Sequence, residues 1–196
     1  MKKILICLLG ILAFAFHEAN AQRYNAIQYS IAFPSGDLND YIGEVSFRGV
    51  QYDYRALVNP NVSVGFSVAW NVFYDENSDP IENGTLVISG KQFRYTNSVP
   101  IYFTADYFQN TDSDVRPFVG IGVGTVYTER KTELGIYQNT CDAWQFAIAP
   151  EVGVMYDYSD FSGLILSARY NAAFKGDGLD GQPYFSVNVG FVFTSP

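Results

Sequence analysis

The sequence predicts an all-β protein: an eight-stranded antiparallel up-and-down transmembrane β-barrel, preceded by a cleavable signal peptide. Three observations lead to this fold class. The chain opens with a basic start and an apolar run, and eight later segments alternate between large apolar and small or polar residues. The face that carries the small residues is also too poor in charge to face water.

The first 21 residues have the layout of a secretory signal peptide. Two lysines precede an apolar run at residues 4–16, and Ala19-Asn20-Ala21 supplies small residues at a cleavage site. An uncleaved anchor helix is the alternative, but the run is short for a bilayer span. We therefore expect cleavage before Gln22, so that residues 1–21 are the signal peptide and residues 22–196 form one barrel domain.

The composition of residues 22–196 argues against several classes of partner and chemistry. Loss of two lysines and one glutamate with the signal peptide leaves 10 basic and 19 acidic residues, a net charge of −9. Without a basic cluster, such a chain is a poor match for nucleic acid. The single histidine also lies in the signal peptide, and Cys141 is the one cysteine left, so no internal disulfide is expected.

Eight segments of the remaining chain alternate with a period of two, as in strands whose successive side chains point to opposite faces. Residues 144–158 show the pattern most clearly, because every even position from Trp144 to Tyr158 is large and apolar or proline. The eight segments are residues 26–33, 49–55, 62–72, 99–106, 118–125, 144–158, 164–171 and 185–193. No segment shows a convincing helical period.

The second face of these segments decides which side is buried. A soluble sandwich or lipocalin-like barrel, with its apolar face inward, is the alternative and predicts an outer face of Lys, Glu, Thr and Asp. The second face here is largely Gly, Ala and Ser with scattered polar groups. Such residues suit the narrow lumen of an eight-stranded barrel whose apolar face is turned to lipid.

The connections between the segments agree with a membrane barrel. Short links lie at residues 57–60, 109–114 and 159–162. Longer links lie at residues 35–43, 75–90, 129–142 and 176–182. Short periplasmic turns and longer outer loops are the expected asymmetry. Aromatic residues near the strand ends predict girdles at the two membrane interfaces, formed by Trp70, Tyr74, Tyr127, Trp144, Tyr156 and Tyr158.

Charged residues on the lumen face predict a polar network inside the barrel. A tight turn centred near Asp160 places Glu151 opposite Arg169, and cross-strand neighbours are close enough to pair. A lone carboxylate in a narrow lumen is costly, and a neighbouring arginine offsets that cost with two hydrogen bonds. Four further residues share the lumen phase and can extend the network: Arg55, Asp53, Arg94 and Asp106. The alternative is that each charge is separately hydrated.

Two prolines interrupt the predicted strands. Pro150 lies in the middle of residues 144–158, and Pro100 lies near the start of residues 99–106. Proline lacks the N–H group that a strand ladder needs, so it is unfavourable in a central strand. A bulge is one way in which the strand could accommodate Pro150.

The residue types needed for catalysis or metal binding are scarce in residues 22–196. Without histidine, a serine nucleophile would need another base such as lysine, and no nucleophile–base pair is apparent. Asp177 and Asp180 in "GDGLDG" lack the ligand number and spacing of a calcium loop, so a flexible acidic loop is the simpler interpretation. We expect no enzymatic activity, no metal, no cofactor, and a free thiol at Cys141.

Two segments carry a family resemblance: "RPFVGIGVGTVY" at residues 116–127 and "YFSVNVGFVF" at residues 184–193. Both resemble the small eight-stranded outer-membrane β-barrel proteins of Gram-negative bacteria, the OmpA/OmpX-like barrel domain. The resemblance covers residues 23–193 and implies a location in the bacterial outer membrane, in contact with its lipid and lipopolysaccharide. It also implies assembly by the outer-membrane insertion machinery, which reads a terminal aromatic residue. Phe191 and Phe193 match this signal, although three further residues follow Phe193.

These observations together predict a non-enzymatic outer-membrane protein of structural or surface-interaction type. We expect a monomer whose outer loops, acidic and bearing tyrosine, meet a surface ligand that the sequence does not identify. The alternative is a small-solute channel or a lateral carrier of hydrophobic molecules. A lumen filled by charged side chains would argue against the channel.

Overall fold

The structure is a computed structural model that describes residues 22–77, 81–83, 86–88, 91–109, 113–135 and 137–195. The expected signal peptide, residues 1–21, lies outside the described residues, as does part of the link at residues 75–90. The elements in chain order are β1 (Arg23–Pro34), α1 (Gly36–Tyr41), β2 (Ser46–Asn59), β3 (Val62–Asn77), β4 (Ile81–Asn83), β5 (Leu86–Ile88), β6 (Gln92–Phe108), β7 (Val115–Leu134), β8 (Tyr137–Ser159), β9 (Ser162–Ala173) and β10 (Tyr184–Ser195).

Eight of these strands close into a barrel. Each strand is antiparallel to both of its neighbours, and the order around the barrel is β1–β10–β9–β8–β7–β6–β3–β2, with β2 next to β1. Strands that follow each other in the chain are therefore neighbours in the sheet. The exception is the small β4–β5 hairpin, which is inserted between β3 and β6 and forms a sheet of its own. The predicted eight-stranded antiparallel up-and-down barrel is confirmed.

The barrel has its apolar side chains outside and its polar side chains inside. Phe103 and Phe191 on the outer wall are 74% and 58% exposed, whereas Arg55 and Arg169 in the lumen are 1% and 2% exposed. A soluble barrel would show the opposite distribution, because burying charge and exposing large apolar surfaces are both unfavourable in water. The outer wall is suited to lipid, as the alternation in the sequence predicts.

Neither strand proline shifts the register of its strand. On β8, the pairs on both sides of Pro150 keep one register, in which Glu151 lies opposite Arg169. The ladder to β9 omits two pairs at the proline, while the ladder to β7 runs through it without a break. Pro100 has the same effect on the ladder between β6 and β3. No bulge is present at Pro150, because a short gap in one ladder accommodates the missing N–H group.

Three of the four longer links contain helix or strand among the described residues, since residues 75–90 include the end of β3 and the β4–β5 hairpin. Residues 129–142 continue β7 and β8 as a hairpin that pairs as far as Leu134 with Tyr137. This hairpin lies beyond the apolar wall, so its side chains do not need the alternation that reveals the other strands.

Residues 35–43 contain the helix α1, which the prediction of a chain without helices missed. The buried side chains of this six-residue helix and its C-cap are Leu38 and Ile42. So short an element does not show a helical period in the sequence. Among the described residues, no helix has the length and apolar character needed to cross a membrane.

Candidate functional site

Five charged side chains meet in the lumen and are named here the central network: Asp53, Arg55, Asp106, Glu151 and Arg169. They come from β2, β6, β8 and β9, and all five are buried. Glu151 lies opposite Arg169, as the turn near residue 160 predicts, and Arg169 Nη2 donates to Glu151 Oε2 at 2.7 Å. Arg169 Nη1 also donates to Ser67 Oγ at 2.7 Å.

Arg55 contacts all three carboxylates of the central network. Its Nε donates to Asp106 Oδ2 and its Nη2 to Glu151 Oε2, each at 3.0 Å, and its Nη1 lies 3.4 Å from Asp53 Oδ2. Its guanidinium also lies over the Phe118 ring, 4.9 Å from the ring centre. A guanidinium suits this position because its planar fork presents several N–H donors in fixed directions.

Neutral side chains complete part of the hydrogen bonding around the network. Asp53 Oδ2 accepts from Gln28 Nε2 at 2.5 Å and from Gln51 Nε2 at 2.9 Å. Buried charges need such partners, because an unpaired charge inside a protein is costly. Two carboxylate oxygens, Asp106 Oδ1 and Glu151 Oε1, have no hydrogen-bond partner among the described residues.

Gly120 makes room for the carboxylate of Asp106. It is the ladder partner of Asp106 on β6 and of Glu151 on β8. A Cβ atom built on Gly120 would lie 2.0 Å from Asp106 Oδ1, which no nonbonded contact allows. A larger residue at this position would have to displace the Asp106 carboxylate, so the glycine allows that carboxylate to lie close to the backbone of β7.

Arg94 does not join the central network, contrary to the prediction. Its position in β6 is about 40 Å along the strand from Asp106, at roughly 3.3 Å per residue. Its Nη1 donates to the backbone carbonyl of Tyr41 at 2.9 Å, and its Nη2 donates to Gln92 Oε1 at 3.3 Å. Alternation assigns Arg94 to the lumen face but does not fix its height along the barrel.

A second polar group fills the end of the lumen near the short links, and the sequence analysis missed it. Arg116 forms an ion pair with Asp157 and donates to the Tyr24 hydroxyl at 2.5 Å. Both charged residues share the lumen phase of their strands, which is the signal that could have found them. An apolar cluster surrounds this group: Tyr24, Ala26, Phe108, Phe118, Met155, Ile165 and Val192.

The helix α1 closes the opposite end of the lumen. Leu38 and Ile42 are fully buried and pack with Ala32, Phe73 and Tyr184. The rings of Phe73 and Tyr184 meet edge to face, with their centres 5.3 Å apart. Side chains therefore fill the lumen at its centre and at both ends.

The structure places the predicted girdle residues on the outer wall. Trp70, Trp144, Tyr156 and Tyr158 are exposed, and Tyr74 and Tyr127 are partly exposed. The rings of Tyr127 and Trp144 are in contact across β7 and β8, with their centres 5.2 Å apart. Phe191 and Phe193 of β10 are exposed on the same wall. Their role as an insertion signal stays a prediction.

Four strands extend beyond the rest of the barrel on the side of the longer links. Their outermost residues pair in one row across β3, β6, β7 and β8: Asn77, Gln92, Leu134 and Tyr137. β9 pairs with β8 only up to Ala147, so it does not reach this height. The extension, named here the rim sheet, comprises residues 71–77, 92–98, 128–134 and 137–143. In the described part of the chain, residues 137–143 have no ladder partner on the β9 side.

Local contacts hold the acidic loop between β9 and β10. Asp177 Oδ2 accepts from the Trp144 backbone N–H at 3.3 Å, and Lys175 Nζ donates to Asp180 Oδ1 at 2.8 Å. The hydrogen bond from Lys175 lowers the pKa of Asp180, and the same bond raises the pKa of the lysine. Among the described residues, no group of three or more His, Cys, Asp or Glu side chains is arranged to hold a metal ion.

Comparisons with known proteins identify the fold but no sequence family. No protein-family model matches the chain, and no curated protein matches its sequence. Solved structures are similar over most of its length, among them these three. Ail, the attachment invasion locus protein of Yersinia pestis, solved in complex with the heparin analogue sucrose octasulfate, has 14% identity and a TM-score of 0.58 over 90% of this chain and 100% of its own.

The other two structures are outer-membrane or surface proteins of different bacteria. A major outer membrane protein from Thermus thermophilus has 11% identity and a TM-score of 0.57 over 89% of this chain and 99% of its own. Neisserial surface protein A has 17% identity and a TM-score of 0.55, also over 89% and 99%. At these identities the likeness establishes the fold, which is that of the small outer-membrane β-barrels implied by the sequence resemblance.

Proposed function

We propose that this chain is a non-enzymatic protein of the bacterial outer membrane whose rim sheet binds a partner at the cell surface. The apolar outer wall and the likeness to outer-membrane barrels support the location. The observation that carries the proposal is the hairpin of β7 and β8. It continues to Leu134 and Tyr137, although β9 pairs with β8 only as far as Ala147. Anchoring in lipid alone does not require a folded sheet above the apolar wall.

The edge of the rim sheet at residues 137–143, named here the open edge, is suited to recognition through the backbone. A free strand edge presents unpaired N–H and C=O groups, to which an extended segment of another protein can add as a further strand. Residues 137–143 contain one charged side chain, Asp142, so charge does little to protect this edge from pairing. Tyr137 and Cys141 on the same strand are exposed.

The filled lumen supports a surface role over the channel alternative. The central network, the pair of Arg116 with Asp157, and the helix α1 occupy successive levels of the path through the barrel. A permeating ion would have to displace buried side chains held by charge-assisted hydrogen bonds. Ail is an attachment protein by name, and attachment is the class of function that we propose here.

A matched pair of substitutions at Thr140 tests the role of the open edge. Even-numbered residues of β8 direct their backbone groups towards β9, as the hydrogen bond from the Phe174 N–H to the Phe146 carbonyl indicates. Thr140→Pro therefore removes an N–H group from the open edge and leaves the ladder to β7 in place. Thr140→Val keeps the N–H group and is the control.

The probe is a library of random twelve-residue peptides, selected on the refolded wild-type protein in lipid nanodiscs. We expect the selected peptides to bind the Thr140→Val protein as well as the wild type and to bind the Thr140→Pro protein at least tenfold more weakly. Peptides that bind all three proteins equally would show that the edge is not the binding surface.

A further inference from the structure

Two arginines at the outer mouth of the lumen lack a carboxylate partner. Arg94 on β6 and Arg130 on β7 share the lumen phase, and among the described residues no Asp or Glu oxygen lies within 4.0 Å of their side-chain nitrogens. The other lumen arginines all form ion pairs: Arg55, Arg116 and Arg169. Asp180 and Asp37 act on Arg130 only from beyond ion-pair distance, and Asp180 is in contact with Lys175 instead. Neither arginine thus has an anion in direct contact, which leaves a place for one.

Both guanidiniums lie against the ring of Tyr41, the last residue of α1. Arg94 Cζ is 5.3 Å and Arg130 Cζ is 4.3 Å from the centre of this ring. Tyr41 is held at both its side chain and its backbone. Its hydroxyl lies 2.6 Å from Thr132 Oγ1, and its backbone carbonyl accepts from Arg94 Nη1. Arg130 is held in turn by Gln182, whose Oε1 accepts from Arg130 Nε at 3.2 Å. The two cations are therefore held in place together.

Each of these guanidiniums has a shielded nitrogen without an acceptor. Arg94 Nε and Arg130 Nη2 are buried and have no hydrogen-bond partner in the described part of the chain, and the same holds for the Thr96 hydroxyl. Thr96 is the ladder partner of Arg130, and Arg94 is the ladder partner of Thr132 in the adjoining part of the same ladder. The three unpaired groups thus lie on neighbouring lumen positions, where an acceptor would satisfy donors that are otherwise costly to bury.

We propose that Arg94 and Arg130 bind a small tetrahedral oxyanion of the phosphate or sulfate class beside Tyr41, at the outer mouth of the barrel. A guanidinium fork matches two oxygens of such an anion, and a divalent anion balances the two arginine charges. It also accepts from the unpaired groups of Arg94, Arg130 and Thr96. Arg94, Arg130 and Tyr41 are only partly buried and lie at the height of the rim sheet, so we assign the site to an anion from solvent. The proposal goes beyond the proposed function and does not depend on the rim sheet binding a partner.

Titration of the refolded protein in zwitterionic detergent with inorganic phosphate, followed by calorimetry, tests this site. We expect saturable binding that Arg94→Gln and Arg130→Gln each weaken about tenfold or more, the contribution of a hydrogen bond to a charged group. Arg130→Lys should weaken binding less, because it keeps the charge and loses the fork. Lys91→Gln is the control, since it removes an exposed rim charge that is paired with Glu76.

Heat-modifiable migration on gels establishes that each variant is folded. In the wild type, phosphate is also expected to shift the Nε–H NMR resonances of Arg94 and Arg130 and to leave that of Arg55 unchanged, which tests the site without any substitution. An equal loss of affinity in Lys91→Gln, or no saturable binding in the wild type, would overturn the proposal.

A second arm replaces phosphate by phosphatidylglycerol vesicles. Binding only in that arm would assign the arginines to a lipid headgroup and overturn the assignment to a solvent anion.

Discussion

Every charge in the central network depends on residues from other strands. Arg55 reaches Asp53 on its own strand, Asp106 on β6 and Glu151 on β8. Arg169 reaches Asp53 and Glu151 from β9. Removal of one carboxylate leaves each arginine with another, whereas removal of Arg55 leaves Asp106 without a cation. The network therefore ties β2, β6, β8 and β9 together across the lumen, in addition to the ladders around the wall.

Glu151→Ala is expected to destabilise the barrel by about 3 kcal/mol, the typical cost of removing one partner from a buried ion pair. Glu151 Oε2 accepts from both Arg55 and Arg169, so both arginines lose an acceptor. The double variant Glu151→Ala/Arg169→Ala should recover part of this loss, because it removes one of the two buried cations that lose an acceptor in Glu151→Ala.

Urea unfolding in detergent micelles, followed by tryptophan fluorescence, measures the free energies of unfolding of the wild type, the two single variants and the double variant. The recovery appears as a double-mutant effect smaller than the sum of the single effects. A strictly additive result would show that Glu151 and Arg169 do not interact.

At the scale of the element, the sequence predicts the strands where two different environments border them. Lipid on one side and a narrow lumen on the other require a period of two, so residues 118–125 and 144–158 are recognisable as strands. Above the apolar wall this requirement ends. The sequence therefore predicts a loop at residues 129–142, whereas residues 129–134 and 137–142 are paired strand. The helix α1 was missed because one buried side chain in six residues, with a second at the C-cap, does not establish a period.

The same limit decides which parts of the lumen site the sequence could predict. The pair Glu151 and Arg169 was predictable because a tight turn fixes the register of the hairpin that contains both. Arg94 was misplaced because its height depends on how far β6 extends beyond the membrane. The contacts of Arg55 with Asp106 and Glu151 join strands that are not neighbours in the sheet, so no register rule predicts them.

Pro150→Val is expected to close the gap in the β8–β9 ladder and to stabilise the barrel by about 1 kcal/mol, the net contribution of one hydrogen bond. The backbone of residue 150 faces β9, like that of Phe146, and Tyr170 is the residue opposite it in the unshifted register. Valine also suits an outward position in a strand. Amide exchange by NMR in micelles should slow at residues 169–171, and unchanged exchange there would show that the proline does not cause the gap.

The whole molecule combines a filled barrel with a sheet that stands above it. The three filled levels of the lumen make the barrel a solid support, and the rim sheet extends β3, β6, β7 and β8 to one side of its mouth. A protein built to conduct would gain from an open lumen and would not need the rim sheet. The filled lumen and the position of the rim sheet above it therefore agree with the proposed role in binding at the cell surface.

Conductance in planar bilayers tests this view of the whole molecule. We expect the refolded protein to show no steady conductance at neutral pH, because the central network and α1 occupy the path of an ion. Glu151→Ala and Arg55→Ala open the centre but leave α1 in place, so they should remain closed as well. Regular single-channel steps from the wild-type protein would favour the channel alternative.

The orientation of the barrel can be read from Cys141, which is the one cysteine of residues 22–196 and is exposed on the rim sheet. Short turns face the periplasm in barrels of this kind, so the rim sheet should face the outside of the cell. A membrane-impermeant maleimide added to intact cells is therefore expected to label Cys141. The control is Cys141→Ser/Asp160→Cys, which moves the thiol to the exposed turn between β8 and β9 at the opposite end. This variant should be labelled only after the outer membrane is permeabilised, and labelling of intact cells in the reverse pattern would show that the rim sheet faces the periplasm.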